Sequence, residues 1–304
     1  MFEILKKTIL FILLATLLTF NGCARKKAPC AICNQAKAPA NNTNPLAKNT
    51  EISEESWKGL TDQVLKFYKQ GQYFKALPLA EKAKDIGDKI FTPNHPNYTT
   101  SLNNLAEIYR TIGKYNDAET LEKKVIEIRK KVLGKDHPDV AIALNNLAIL
   151  YYSEKKYEKA EPLFTNAIEI WKKSFGNDHQ NIASALTNLA ELNKAKKNYP
   201  KAETLLKEAL KIRENLLGKE SPLTAEALNN LAAVYFLEGK LNEAESMFNR
   251  TLQVLEKSLG KNHPDLIIVL DNIAEVCKQI GKPEKAKAYL ERAKMIKSSA
   301  LKES

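Results

Sequence analysis

Leu102-Asn103-Asn104-Leu105-Ala106 is the stretch from which the rest of this chain can be read. Its tetrapeptide Asn-Asn-Leu-Ala, at 103–106, returns at 145–148 and 229–232. The variants Thr187-Asn188-Leu189-Ala190 and Asp271-Asn272-Ile273-Ala274 fill the remaining places, every start 42 residues after the last. Self-similarity at a period of a few tens of residues marks a repeat architecture, in which each unit buries its apolar face only against its neighbours. Function then belongs to a surface shared by the units.

The period extends well beyond one tetrapeptide. Ala76, Ala118, Ala160, Ala202, Ala244 and Ala286 form one comb of small residues; Ala83, Val125, Ala167, Ala209, Thr251 and Ala293 form another. Small side chains let helix backbones approach, and Leu144, Leu147, Ala148 and Tyr151 supply an apolar stripe at helical spacing. Each unit therefore reads as two antiparallel helices. In Leu133-Gly134-Lys135-Asp136-His137-Pro138 a left-handed glycine is expected to stop one helix and proline to open the next. Gly176, Gly218 and Gly260 repeat the stop, and Pro96, Pro222 and Pro264 the start, while Gln180 shows that proline is not required. Pro78 and Pro162 are expected early in the second helix, where a missing N–H costs little. Counting back through Gly71-Gln72-Tyr73 and Gly113-Lys114-Tyr115 places six pairs over 56–304, with no strand alternation.

Leu at the fourth position, Leu-Ala at the seventh and eighth, Tyr near the eleventh, then Tyr-x-x-Ala and a later Ala resemble a tetratricopeptide repeat. The length of 42, with Leu-Gly-Lys-Asp-His-Pro-Asp-Val (133–140) and Leu-Asn-Asn-Leu-Ala (144–148), is similar to the kinesin-light-chain branch of that family. The resemblance implies an all-α, right-handed superhelical solenoid of six tetratricopeptide helix pairs. For function it is broad, because one repeat serves many partners.

The first residues suggest where such an array sits. Lys6 and Lys7 precede Thr8–Phe20, an uncharged and mainly apolar run too short for a spanning helix of about 20 residues but suited to a signal-peptide core. Phe20-Asn21-Gly22-Cys23 resembles a bacterial lipoprotein processing site, with Phe20 and Asn21 where Leu and Ala or Ser are commoner. The expected organisation is a signal peptide at 1–22, a flexible tether at 23–55 carrying lipid on Cys23, and the repeat array at 56–304. The tether's Ala, Asn, Lys, Pro and Ser cannot bury enough surface to offset ordering entropy. By the same resemblance, Ala24 after the lipid cysteine implies the periplasmic side of the outer membrane, if the cell has two membranes.

No cofactor, metal site or catalytic constellation emerges. Cys30 and Cys33 form a lone Cys-x-x-Cys without a second pair for zinc, and the residue that follows is Asn34 where haem attachment would need a histidine. An exported context permits a disulfide between them. Cys277 takes the slot of Tyr109, Tyr151 and Tyr235, as a core residue would. His95, His137, His179 and His263 all stand at the turn between units, about one helix-packing distance apart, too far to share a zinc ion; turn and capping roles fit them better. The formal net charge is +11, carried mostly by lysines that often neighbour glutamates. Anionic lipid, acidic proteins or wall polymers suit such a surface, and nucleic acid does not suit an exported chain.

In the resembling family the second, fifth, ninth, twelfth and thirteenth positions of each first helix face a concave groove. Here position five is Thr61, Asn103, Asn145, Thr187, Asn229 and Asp271. Amides donate and accept, so such a row can hold the backbone of an extended peptide, as the asparagine ladder of kinesin light chains does. Position six (Asp62, Asn104, Asn146, Asn188, Asn230, Asn272) is expected to satisfy backbone groups at the seam between units. Positions nine and twelve alternate: Glu107/Arg110, Glu191/Lys194 and Glu275/Lys278 in even repeats, Leu65/Tyr68, Ile149/Tyr152 and Ala233/Phe236 in odd ones. The charged pairs would contribute about 0.2–0.5 kcal/mol each if exposed. The apolar sets would form separate patches or simply pack against neighbouring helices. With patches about 20 Å apart, a partner segment would carry two large apolar side chains roughly six residues apart, its backbone held by Asn145 and Asn229 with Thr187 between. The cationic clamp for a peptide carboxylate is absent, since positions five and nine carry no Lys or Arg.

The function expected is a non-enzymatic, envelope-anchored scaffold or adaptor that captures an extended segment of a partner protein in its groove. The competing readings are a regulatory lipoprotein subunit of a cell-wall or secretion enzyme, and a structural lipoprotein whose basic face binds anionic envelope polymer.

Overall fold

The computed structural model describes residues 52–300, so Cys23, Cys30, Cys33 and nearly all of the segment read as signal and tether lie outside the described residues. Twelve helices follow one another among those described: α1 (Glu54–Lys69), α2 (Tyr73–Ile90), α3 (Pro96–Thr111), α4 (Tyr115–Leu133), α5 (Pro138–Ser153), α6 (Tyr157–Phe175), α7 (Gln180–Ala195), α8 (Tyr199–Leu217), α9 (Pro222–Leu237), α10 (Leu241–Leu259), α11 (Leu266–Gln279) and α12 (Pro283–Ala300). They form two compact units divided inside α6, one ending at Ile170 and the other beginning at Trp171. Within each unit a helix packs on its neighbours in the chain, α1 on α2 through α4 on α5, and α7 on α8 through α11 on α12.

The two combs of small residues lie in the helix interfaces, every member buried. An alanine there keeps the backbones close enough for apolar side chains of both helices to meet at native packing density. In the first unit this gathers Val64, Ala76, Ala80, Leu105 and Ile108. In the second it gathers Leu206, Leu231, Phe248, Leu270 and Ile273, among others. Thr251 keeps its place in an alanine column by donating its hydroxyl to Met247 O at 2.9 Å. Cys277 is fully buried, its Sγ 3.9 Å from Glu245 Oε1. That glutamate corresponds by register to Glu119, which accepts from the Tyr151 hydroxyl at 2.9 Å.

Helix starts follow the anticipated turn chemistry, with one exception. The imidazole Nδ1 atoms of His95, His137 and His179 accept from the backbone N–H two residues on, at 3.2, 3.1 and 3.1 Å, and cap α3, α5 and α7. Ser221 does the same for α9. Proline opens α3, α5 and α9. Pro264 does not open α11, which begins at Leu266 with Asp265 at its N-cap. Two further expectations are corrected. Pro78 and Pro162 are each the sixth residue of their helix, beyond the first turn, so each removes one intrahelical hydrogen bond. Gly134 adopts φ 87 and ψ 157, a positive-φ extended conformation open essentially to glycine alone, and not the left-handed helical one.

The turns from first to second helix do use left-handed backbone. Gly71, Gly113, Gly239 and Gly281 have positive φ, and the same place is taken by Lys155 at φ 62 and Lys197 at φ 60. The chain reverses there through paired bonds, Lys155 N–H to Tyr152 O at 2.9 Å and Lys156 N–H to Tyr151 O at 2.8 Å, the Schellman pattern. A side chain in this conformation costs about 1–2 kcal/mol, offset in part by the greater chain entropy of glycine when unfolded. Lys155→Gly is accordingly expected to stabilise the protein by up to about 1 kcal/mol, and Gly113→Lys to destabilise it comparably. Chemical denaturation checks both, and a loss of stability in Lys155→Gly would contradict the account.

Candidate functional site

Asn103, Glu107 and Arg110 stand at i, i+4 and i+7 on α3, so they share one stripe of that helix. In the first unit the corresponding fifth positions are Thr61 on α1 and Asn145 on α5. Thr61 is buried and donates to Trp57 O at 3.0 Å within its own helix. Asn103 and Asn145 differ: both are half-buried, and the Oδ1 of each is buried without a hydrogen-bond partner. In the second unit Asn229 repeats this state. Thr187 does not, because it is buried and its hydroxyl donates to Ala183 O at 2.9 Å. Burial pushes the carboxyl of half-buried Asp271 upward, with Lys297 and Lys278 opposing. Two of the sixth-position asparagines leave one amide atom outside the expected bonding to backbone groups. Asn104 and Asn230 are indeed buried, yet Asn104 Oδ1 and Asn230 Nδ2 have no partner.

At positions nine and twelve the charged and apolar sets prove to be joined. Arg110 grips Glu107 with two bonds, Nε to Oε2 at 2.9 Å and Nη2 to Oε1 at 2.5 Å. The Tyr68 hydroxyl, from α1, donates to the same Glu107 carboxylate. Arg110 Nη1 reaches Ser153 Oγ on α5 at 3.3 Å. A polar line thus crosses three first helices, and burial with the Glu107 charge holds the Tyr68 phenol firmly protonated. In the second unit Lys194 contacts both Glu191 oxygens at 2.6 and 2.7 Å, the side chains only 10% and 4% exposed. The expected weak, exposed pair describes only Glu275 and Lys278, at 3.6 Å. Ala233 and Phe236 pack against the second core, and Tyr152 lies 5.8 Å from Tyr157 between ring centroids; Ile149 is half-buried.

The tetratricopeptide-repeat family model matches residues 66–131, 123–164, 139–215 and 223–296, well over half of the chain. This protein belongs to the tetratricopeptide-repeat family. Solved structures of similar fold include BtubC (BKLC) from P. vanneervenii, 22% identical, with a TM-score of 0.65 over 80% of this chain and 92% of that one. A Podospora anserina protein described as a kinesin light chain with nearly identical TPR-like repeats is 23% identical, with a TM-score of 0.58 over 68% of this chain and 98% of its own. A Rap protein complexed with competence and sporulation factor is 18% identical, with a TM-score of 0.57 over 82% of this chain and 77% of its own. At these identities the likeness speaks for the fold. No curated protein matches the chain.

One tetratricopeptide position departs from its column. Ala80, Phe164, Leu206 and Phe248 are all buried at 3% exposure or less, but repeat two places Glu122 there, 5% exposed. Its Oε2 has no hydrogen-bond partner. Burial and the Glu107 charge push the Glu122 carboxyl up to about 8, against the opposing pull of Arg129 and Arg110. Arg129 is itself buried and committed to Asp139 O at 2.8 Å, as Arg213 is to Leu223 O at 2.7 Å in the second unit. Reading the sequence for first helices overlooked Glu122, which lies on a second helix; lining up every column at the 42-residue period exposes it as the one charged member. Among the described residues no group of three or more His, Cys, Asp or Glu could hold a metal ion, and no helix is long and apolar enough to cross a membrane.

An unsatisfied buried polar group costs about 1–3 kcal/mol, and Leu206 fills the same column with buried apolar bulk, so Glu122→Leu should raise stability. Between its ordinary value of 4.5 and about 8, Glu122 holds its proton when folded and releases it on unfolding. The wild type therefore loses stability as pH rises through that window and levels off above it. Urea denaturation at several pH values should show the advantage of Glu122→Leu widening from mildly acidic to mildly alkaline solution; a constant gap would refute the burial argument.

Proposed function

We propose that this tetratricopeptide protein is an envelope-anchored adaptor, without catalysis of its own, whose first-helix surfaces hold an extended segment of a partner protein. The tetratricopeptide fold is a protein-binding scaffold, and the observation carrying the finer reading is the state of Asn103 and Asn145. Buried polar atoms in folded proteins are almost always hydrogen-bonded, yet the Oδ1 of both is left without a partner, on successive first helices. An extended backbone presents N–H and C=O groups at regular spacing and would satisfy both amides irrespective of its side chains. Similarity to a Rap protein complexed with a factor is in keeping with a fold that accepts ligands.

The anchoring part of the proposal rests on Cys23 following a short apolar core. Two acyl chains give stable membrane attachment where one is marginal. The lysine-rich surface would then face the anionic envelope, favouring encounter without setting specificity.

A lost hydrogen bond costs about 0.5–1.5 kcal/mol, so Asn103→Ala with Asn145→Ala is expected to weaken peptide capture about tenfold or more. Melting should barely change, because neither Oδ1 has an intramolecular bond to lose. Capture unaffected by the double variant, yet abolished by salt, would move the site to the basic outer surface. Separately, fatty-acid labelling and membrane fractionation should both vanish in Cys23→Ser. A soluble, unlabelled wild type would disprove the anchor.

A further inference from the structure

Resting on that groove reading, we infer that Glu122 sets the specificity of the first unit's groove, receiving the ammonium or guanidinium of a Lys or Arg side chain from the bound segment. Three observations converge. Glu122 occupies a column that Phe164, Leu206 and Phe248 fill with apolar core, so its carboxylate is not what the repeat needs for packing. Packing alone would be served by leucine. Its Oε2 lacks a hydrogen-bond partner although the side chain is 95% buried, given 5% exposure. The carboxylate also lies within electrostatic reach of Glu107 and Arg110, which share the α3 stripe with Asn103.

The charges around Glu122 decide the sign of the ligand. Arg110 is occupied by Glu107 and Ser153, and Arg129 by Asp139 O. Tyr68 is committed to Glu107. The nearby guanidinium groups are thus already engaged, so once the Glu122 carboxyl ionises no protein donor bonds its Oε2. A cationic side chain supplies what is missing, through charge-assisted bonds that are shorter and stronger than neutral ones. An entering acidic side chain would meet Glu107 and Glu122 instead.

Occupation has a protonic signature. Facing Glu122 are Glu107 and Arg110 from α3, and Arg129 from its own helix; Tyr68 of α1 acts through Glu107, and Asp139 of α5 through Arg129. Empty, the carboxyl keeps its proton near neutral pH. An incoming ammonium or guanidinium stabilises the carboxylate, and the displaced proton passes to the buffer. Binding of a basic segment therefore releases a proton, and its affinity rises as the solution becomes alkaline up to about pH 8.

The test uses the full chain and an array of acetylated, amidated peptides of about six residues, the length that spans two first-helix steps of about 8–10 Å at about 3.3 Å per residue. At one position, Lys or Arg should bind about tenfold more tightly than norleucine or Glu. Titration calorimetry in two buffers of different ionisation heat should show proton release for the Lys and Arg peptides. Glu122→Leu and Glu122→Gln should both lose the preference and the proton release while still binding the norleucine peptide through Asn103 and Asn145. Gln keeps the polarity and Leu restores the packing, so the pair separates charge recognition from folding. If peptides bind through the asparagines but show no basic preference, or keep it in both variants, this inference is overturned and the groove reading stands. If no peptide binds, or binding ignores Asn103→Ala with Asn145→Ala, the groove reading falls and takes this one with it.

Discussion

Close approach of helix backbones at small side chains is the constraint on which everything else in this protein depends. A helix pair of roughly 40 residues cannot bury its apolar stripe alone, so each unit must be covered by the next. Coverage is close where alanine, Val125, or a threonine that bonds its own helix stands at the crossing. The burial of both small-residue columns, from Ala76 to Ala286 and from Ala83 to Ala293, is this constraint made visible. Because it recurs at a fixed interval, the turns recur too. The histidine caps at His95, His137 and His179 hold three successive first helices to the same starting register.

Once that register is set, the residues not needed for packing are free to vary, and they carry the individuality of the chain. The most distinctive feature is the line Tyr68–Glu107–Arg110–Ser153, which ties α1, α3 and α5 together through charge-assisted bonds. Beside it Glu122 sits in a column of Phe and Leu with an oxygen unsatisfied. Buried polar groups of this sort cost stability when incomplete and confer specificity when completed. A ligand offering hydrogen-bond donors to Glu122 and to the asparagine amides of α3 and α5 would complete both, so the instability and the proposed recognition have one source.

Charge plays a different part on the outside. In the second unit Arg250–Glu214 joins two successive second helices, and Lys240–Glu203 and Lys282–Glu245 join the residue preceding a second helix to the second helix before it, at 2.5–2.7 Å. Such partly exposed pairs add little stability individually. They leave the net charge unchanged, since 47 Lys and Arg against 36 Asp and Glu make the protein basic whatever the pairing.

What the sequence determined by itself was whatever repeats: helix pairs, their length, the alanine columns, the histidine caps and the core role of Cys277. These follow from local periodicity and turn chemistry, and repetition multiplies each weak signal. Tertiary structure decided what depends on neighbours from other helices. Residue identity marked Asn103 and Asn145 as candidates, but only packing shows that Thr187 turns its hydroxyl into its own helix, that Glu191 and Lys194 form a buried pair, and that Tyr68 belongs to Glu107 instead of an apolar patch. Likewise Pro264 carries the same local signal as Pro96, yet α11 starts later. The sequence also contained Glu122 in plain register; its meaning came from the surrounding protein, because desolvation and the fields of Glu107, Arg110 and Arg129 act through space and leave no trace in spacing along the chain.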